Sequence, residues 1–256
     1  MLRFKFSRVV ALLVILMTIS FVALGQELKN PSPIALLSDV YFEDGFEGDS
    51  LANHWDVTNP DPDQFIVEDG TLLVIGKAVG GFTNAETPNL IRLKRELPRG
   101  DWVATVKLSA EFQTTRDLFE FGLYTGPDNF VAARLWGTCC YSSRGLYVET
   151  KKISGGKTTN FSNRAWGPGS ENYQEFANTI PQPITLKLIK SGRTYRSAIH
   201  LEGQKTEAGE PVWIETDLVS SLRAPKQIVM NASQWKEVSG ESLFMIDSIK
   251  IETNEE

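Results

Sequence analysis

The sequence predicts an all-β protein built as two antiparallel sheets packed face to face. Three observations carry this reading. Short segments alternate apolar and polar residues with period two, as in Trp102-Val103-Ala104-Thr105-Val106-Lys107-Leu108. Turn residues punctuate these segments at short, regular intervals. No stretch repeats its apolar positions at the spacing of an amphipathic helix. Alternation gives each strand one face to bury, and two such faces closed on each other make a core.

The elements follow in order. Tyr41 to Ile75 reads as a strand with acidic ends, a Trp-bearing segment, an Asn59-Pro60-Asp61-Pro62 loop and a hairpin. In that hairpin Phe65-Ile66-Val67 and Leu72-Leu73-Val74-Ile75 flank an Asp69-Gly70 turn, the dipeptide that suits the tight turns of hairpins. Leu118 to Tyr124 alternates, and Gly126-Pro127-Asp128-Asn129 turns it into Phe130 to Leu135. Gly145–Ile153, Ile184–Ile189, Tyr195–Leu201, Val212–Glu215, Gln227–Asn231 and Leu243–Ile251 complete a set of about eleven to thirteen strands. Gly155 to Pro183 is rich in Gly, Asn, Ser and Pro and reads as a long loop, a kind of segment that often carries function.

The N-terminus reads as a targeting segment. Arg3, Lys5 and Arg8 precede an almost wholly apolar run from Val9 to Leu24, and Ala23-Leu24-Gly25 offers small residues for cleavage. This is the pattern of a secretory signal peptide. The run is shorter than the ~20 residues that span a bilayer. The expected organisation is therefore a signal peptide over 1–25, a linker over 26–38 and one sandwich domain over 39–254, with a secreted or periplasmic location. Loss of the three basic residues leaves 23 basic against 32 acidic side chains, a net charge of −9. That balance argues against nucleic acid and anionic lipid surfaces as partners. Cys139 and Cys140 are the only cysteines and are adjacent. In an oxidising compartment they favour a vicinal disulfide, with inter-chain pairing or two reduced thiols as the alternatives.

Asp44-Gly45-Phe46, Leu51, Trp55, Asn59-Pro60-Asp61 and Gly70-Thr71-Leu72 resemble the opening of the concanavalin A-like lectin/glucanase superfamily. The nearest likeness is to the C-terminal β-sandwich module of family 43 xylosidases and its stand-alone relatives. Phe244 to Ile251 is similar to the closing strand of that module. The resemblance implies a jelly roll of two curved antiparallel sheets, with the first and last strands adjacent. It also implies a structural calcium pinning those strands, with Glu43, the Gly45 carbonyl and Asp247 as hard oxygen donors. The other reading of the same residues is a charged strand end and an Asp247 bonded to backbone amides.

Catalysis finds little support in the sequence. Glycosidases use two carboxylates at fixed separation, which sandwich glucanases carry as Glu-x-Asp-x-Glu or Glu-x-Asp-x-x-Glu on one strand. No such run occurs, and Asp117-x-x-Glu120 has the wrong parity. Lys94-Arg95-Glu96-Leu97 and Ile199-His200 are faint likenesses to alginate-lyase strands, whose Tyr-x-Lys-x-Gly strand is missing. There is no Gly-x-Ser-x-Gly elbow for a nucleophilic serine. Trp136, Tyr141, Arg144, Trp166 and Tyr173 are candidates for binding carbohydrate, with the aromatic rings stacking on sugar faces; Trp55, Trp102 and Trp213 read as core. The leading expectation is a non-catalytic carbohydrate-binding sandwich that uses the concave sheet and the 137–180 loops. The alternatives are a polysaccharide hydrolase or lyase, and an extracellular interaction or structural module without sugar specificity.

Overall fold

The computed structural model describes residues 39–77, 80–113, 116–138, 145–167, 173–234, 236 and 240–253. They contain sixteen strands: β1 (Asp39–Asp44), β2 (Trp55–Thr58), β3 (Phe65–Glu68), β4 (Thr71–Gly76), β5 (Leu90–Leu93), β6 (Trp102–Glu111), β7 (Asp117–Gly126), β8 (Asn129–Thr138), β9 (Gly145–Ser154), β10 (Lys157–Trp166), β11 (Ile184–Ser191), β12 (Thr194–Leu201), β13 (Ile214–Glu215), β14 (Val219–Ser220), β15 (Ile228–Gln234) and β16 (Ser242–Thr253). One short helix, α1 (Tyr173–Ala177), lies between β10 and β11. One sheet has the order β13-β12-β11-β6-β16-β4-β3, with β1 on β16 and β14 on β12. The other has the order β10-β9-β8-β7-β15-β5-β2.

The alternation read from the sequence becomes the core. Val106, Leu108, Leu186, Leu188, Phe244 and Ile246 from one sheet meet Phe119, Phe121, Val131, Leu135, Leu146 and Met230 from the other. Trp55 and Trp102 are buried there, as expected. Trp213 is not. It lies half-buried on the outer face of the nine-stranded sheet, with Lys187 Nζ 4.1 Å from its ring centre and the His200 ring beside it. Its segment Val212–Glu215 is strand only at Ile214–Glu215, so the alternation that suggested burial is too short to be a ladder. A buried hydroxyl cluster also ties the sheets: Thr150 Oγ1 lies 2.7 Å from Ser197 Oγ and 2.5 Å from Thr216 Oγ1.

Two readings of the middle of the chain need correction. The strands exceed the expected number because β5, β10 and β14 were not read from the sequence. The first part of the stretch read as a long loop after Gly155 is β10, a ten-residue edge strand paired along β9 through a Gly155-Gly156 turn. Both glycines have positive φ, 57° and 74°, the geometry of a tight hairpin. Nearly all of β10 is exposed on both faces, so its sequence lacks apolar alternation.

The first and last strands pair, as the resemblance implies. β6 lies along one edge of β16, and β4 and β1 share the other. Glu43 stands opposite Lys250. Asp247 occupies a bulge between Ile246 and Ser248 and borders a shallow pocket with Glu68 and Asp69. Glu43 is thus three positions along β16 from Asp247. Among the described residues no group of three or more His, Cys, Asp or Glu side chains is arranged to hold a metal.

Asp44 anchors the seam. Its carboxylate accepts from Trp55 Nε1 at 2.6 Å and from the Phe46 amide at 2.7 Å, and it lies 2.6 Å from His54 Nε2. Burial raises the Asp44 pKa, but the Trp55, His54 and Phe46 hydrogen bonds outweigh it and leave the carboxyl below its ordinary value. A lowered folded-state pKa stabilises fully above the ordinary carboxylate value, and this stabilisation fades as pH falls through the folded value. Asp44→Asn is expected to cost about 1–3 kcal/mol at neutral pH and to flatten the acid limb of the stability curve. Thermal melts of both proteins from pH 7 down to pH 3 check this; parallel curves refute it.

Candidate functional site

The seven-stranded sheet is unusual in being buried on both faces at its centre. Every residue of β7 from Asp117 to Tyr124 is buried, and so is all of β15. One face meets the core. The other is half covered by the segment from Gly80 to Asn89. Phe82 packs there against Tyr124 and Phe130 in a second apolar cluster with Leu90, Ala132, Ile153 and Val229. Polar staples hold the cover down: the Gly80 amide donates to the Gln234 carbonyl at 2.8 Å, and Asn231 Nδ2 to the Pro88 carbonyl at 2.9 Å.

At the border of this cover lies a cavity of about 280 Å³, lined by Gly80, Thr83, Arg134, Trp136, Glu149 and Lys151. Register explains the grouping. Cross-strand partners share a face, and three successive rungs cross β7, β8 and β9 on the outer side. These are Leu118, Trp136 and Tyr147; then Glu120, Arg134 and Glu149; then Gly122, Ala132 and Lys151.

The middle rung is a buried ion triad. Arg134 Nε lies 2.8 Å from Glu120 Oε1, and Arg134 Nη1 donates to Glu149 Oε2. Glu120 Oε2 accepts from the Phe82 amide at 2.5 Å, and Glu149 Oε1 from Asn160 Nδ2 at 2.7 Å. Burial pushes the Glu120 carboxyl above its usual range, against the opposing pull of Arg134 and the Phe82 amide. Gly81 is required where the cover meets Glu120. A Cβ there would stand 2.0 Å from Glu120 Oε2, and its φ is +51°.

Above the triad, the Trp136 and Tyr147 rings stack at 4.8 Å and 18°, and Arg164 Nη2 donates to the Tyr147 hydroxyl at 3.1 Å. Trp136 Nε1 is a buried donor without a hydrogen-bond partner. Below the triad, Lys151 makes no hydrogen bond or ion pair with the described residues. Its nearest aromatic neighbour is Phe130, 6.0 Å from Nζ to the ring centre. Burial, and then the Arg134 charge, hold its ammonium below the usual lysine value, with Glu120 and Glu149 opposing.

Of the carbohydrate-binding candidates, Trp136 lines the cavity. Trp166 does not reach it: it is in register with Leu146, packs against the inter-sheet core and donates through Nε1 to Thr179 Oγ1 at 3.0 Å. Tyr141, Arg144 and the Cys139–Cys140 pair lie outside the described residues, and Tyr173 is described only as the first residue of α1. Glu149, Lys151 and Thr83 were not singled out from the sequence. Glu120 was dismissed on the parity of its own strand, whereas its partners stand on neighbouring strands.

No protein-family model and no curated protein matches the sequence. Solved structures do match. The GH43 protein BlXynB of Bacillus licheniformis superposes with a TM-score of 0.61 at 14% identity, over 84% of this chain and 40% of that one. A xylan β-1,4-xylosidase of Bacillus halodurans gives 0.58 at 14% identity, over 82% of this chain and 39% of that one. The catalytic domain of an endo-1,3-β-glucanase (laminarinase) of Thermotoga petrophila gives 0.53 at 8% identity, over 85% and 98%. The fold is the concanavalin A-like sandwich. This chain spans about two fifths of the length of the GH43 proteins. The concanavalin A-like scaffold therefore accounts for the two sheets, and the residues on the outer face must be read for themselves.

The triad gives a direct test of that reading. Arg134→Met leaves two buried carboxylates without their cation, a change that typically costs ~3–5 kcal/mol. Denaturant unfolding should show a loss of this size, largely recovered when Glu120→Gln and Glu149→Gln are added. Single-variant stability close to wild type would show that the triad is not buried in solution.

Proposed function

We propose that the protein binds carbohydrate at the outer-face cavity of the seven-stranded sheet, without cleaving it. The observation that carries this is the Trp136–Tyr147 stack standing directly beside a cavity of charged and polar side chains. An aromatic face supplies the apolar platform that a pyranose ring covers, and the polar wall fixes its hydroxyls. The volume is at the small end of ligand pockets and suits one sugar unit at the end or side of a chain. The fold is shared with proteins named as a xylosidase and a laminarinase, which fits a polysaccharide as the partner.

The same residues argue for binding over hydrolysis. Two carboxylates must face the scissile bond in a glycosidase. Here Glu120 is fully buried beneath the Gly81–Phe82 backbone and away from the cavity lining. Glu149 lines the cavity, but one of its oxygens is held by Arg134 and the other by Asn160. One engaged carboxylate is a poor acid and a poor nucleophile. The basic start and the apolar run from Val9 to Leu24 fit a protein exported to meet its glycan.

Trp136→Ala should weaken binding to a polysaccharide retained by the wild-type protein by roughly tenfold or more, the worth of one stacking platform. The half-buried ring makes a fall of only a few degrees in Tm the matching expectation. Affinity electrophoresis through gels containing xylan, β-1,3-glucan, pectin or alginate checks the first, and a thermal melt the second. Retardation in none of these gels, or release of reducing ends abolished by Glu149→Gln, overturns the reading.

A further inference from the structure

Resting on that reading, we infer that the glycan is acidic, and that Lys151 is the residue that selects a sugar carboxylate. The argument is an inventory of unused hydrogen-bonding capacity around the cavity. The cavity carboxylate is engaged: Glu149 Oε2 accepts from Arg134 and Glu149 Oε1 from Asn160. Glu120 Oε2 accepts from the Phe82 amide, and its Oε1 lies in ion contact with Arg134 at 2.8 Å. Thr83 Oγ1 donates to the Gly80 carbonyl at 2.5 Å. The charged group left over is the Lys151 ammonium, which lines the cavity without an ion pair among the described residues. An unpaired cation in a cavity wall favours an anion.

The charges that face Lys151 among the described residues are few. Arg134 on β8, Glu120 on β7 and Glu149 on β9 are its ionisable neighbours, while Asn160 on β10 and the Gly80–Thr83 segment bring no charge. Arg134 with two ionised carboxylates sums to −1, and to zero when Glu120, whose pKa burial raises, carries its proton. Among the described residues lining the cavity, Lys151 is the cation without an ion pair, held half-buried beside the Phe130 ring. Its depressed pKa is consistent with a cation lacking both water and a partner. A hexuronate would place its ring against Trp136 and its carboxylate on Lys151. A neutral sugar of the same shape would leave the ammonium dehydrated and unpaired, so the site discriminates by a missing interaction.

The experiment compares each acidic polymer with its carboxyl-reduced form, which keeps the sugar rings and removes the charge. Pectate, alginate and glucuronoxylan, and their reduced counterparts, are tested by affinity electrophoresis with the wild-type protein and with Lys151→Met, Lys151→Arg and Trp136→Ala. Wild type should prefer at least one acidic polymer over its reduced form by roughly tenfold or more. Lys151→Met should abolish that preference, and Lys151→Arg should keep it. Trp136→Ala should weaken both forms alike. Equal binding of acidic and reduced polymers by wild type, or a preference untouched in Lys151→Met, overturns the inference and leaves carbohydrate binding standing. Binding to neither form of any polymer overturns both. Melting temperatures of the four proteins separate lost binding from lost folding.

Discussion

The clamping of Arg134 between Glu120 and Glu149 is the constraint from which the rest of the outer face follows. The three residues sit on one rung across β7, β8 and β9. The centre of that sheet is buried on both sides, so the charges are out of water and must satisfy one another. A buried triad of this kind is rarely more stable than an apolar replacement of the same volume. It does, however, fix geometry. With Arg134 held at both ends, Glu149 is oriented and Trp136 and Lys151 are presented on either side of it at one-rung spacing. The cover segment follows the same constraint, since the Phe82 amide supplies a donor that Glu120 needs and Gly81 gives it room.

The scaffold and the site are thus built from different parts of the chain. The β1–β16 seam, with Asp44 accepting from Trp55 and Phe46, joins the ends of the domain. It lies on the nine-stranded sheet. The cavity lies on the outer face of the other sheet, reached through the core by the packing of β7, β8 and β9. This separation explains why a likeness confined to the two ends of the sequence identifies the sandwich and says nothing of the ligand.

Legibility divides along the same line. The Asp69-Gly70 hairpin, the pairing of the end strands and the buried Trp55 and Trp102 are local or pattern signals, and these are readable. The Glu120–Arg134 rung was not readable by counting. Counting back from the Gly126-Pro127-Asp128-Asn129 turn sets Glu120 opposite Leu135, and a register shift between Tyr124 and Gly126 is what brings it opposite Arg134. A search for two carboxylates along a single strand passes over a carboxylate–guanidinium pair across two. The rest had no local signal. The cover from Gly80 to Asn89 is held on the sheet by residues distant in sequence, among them Glu120, Tyr124, Phe130, Asn231 and Gln234. β10 is polar throughout because an exposed edge strand has no buried face to advertise. Trp166 has no local signal for its place either: a shift in register between Arg164 and Trp166 precedes its packing, half-buried, against the core.

The same inventory of committed groups underlies the proposal that the site holds a glycan and does not cleave it. Catalysis by carboxylates needs acid and base groups whose protons can move, which means oxygens not already consumed by permanent partners. The triad consumes them. Recognition needs the reverse, fixed donors waiting for acceptors. The Lys151 ammonium is such a donor, one rung below a locked Glu149, with the Trp136 ring one rung above. A site whose rigid part is its carboxylates and whose unmatched part is its cation is suited to receive a negative charge and keep it. Restoring hydrolysis would require freeing Glu149 from Arg134 and Asn160 and opening a route to Glu120. Both steps would dismantle the rung that positions Trp136 and Lys151.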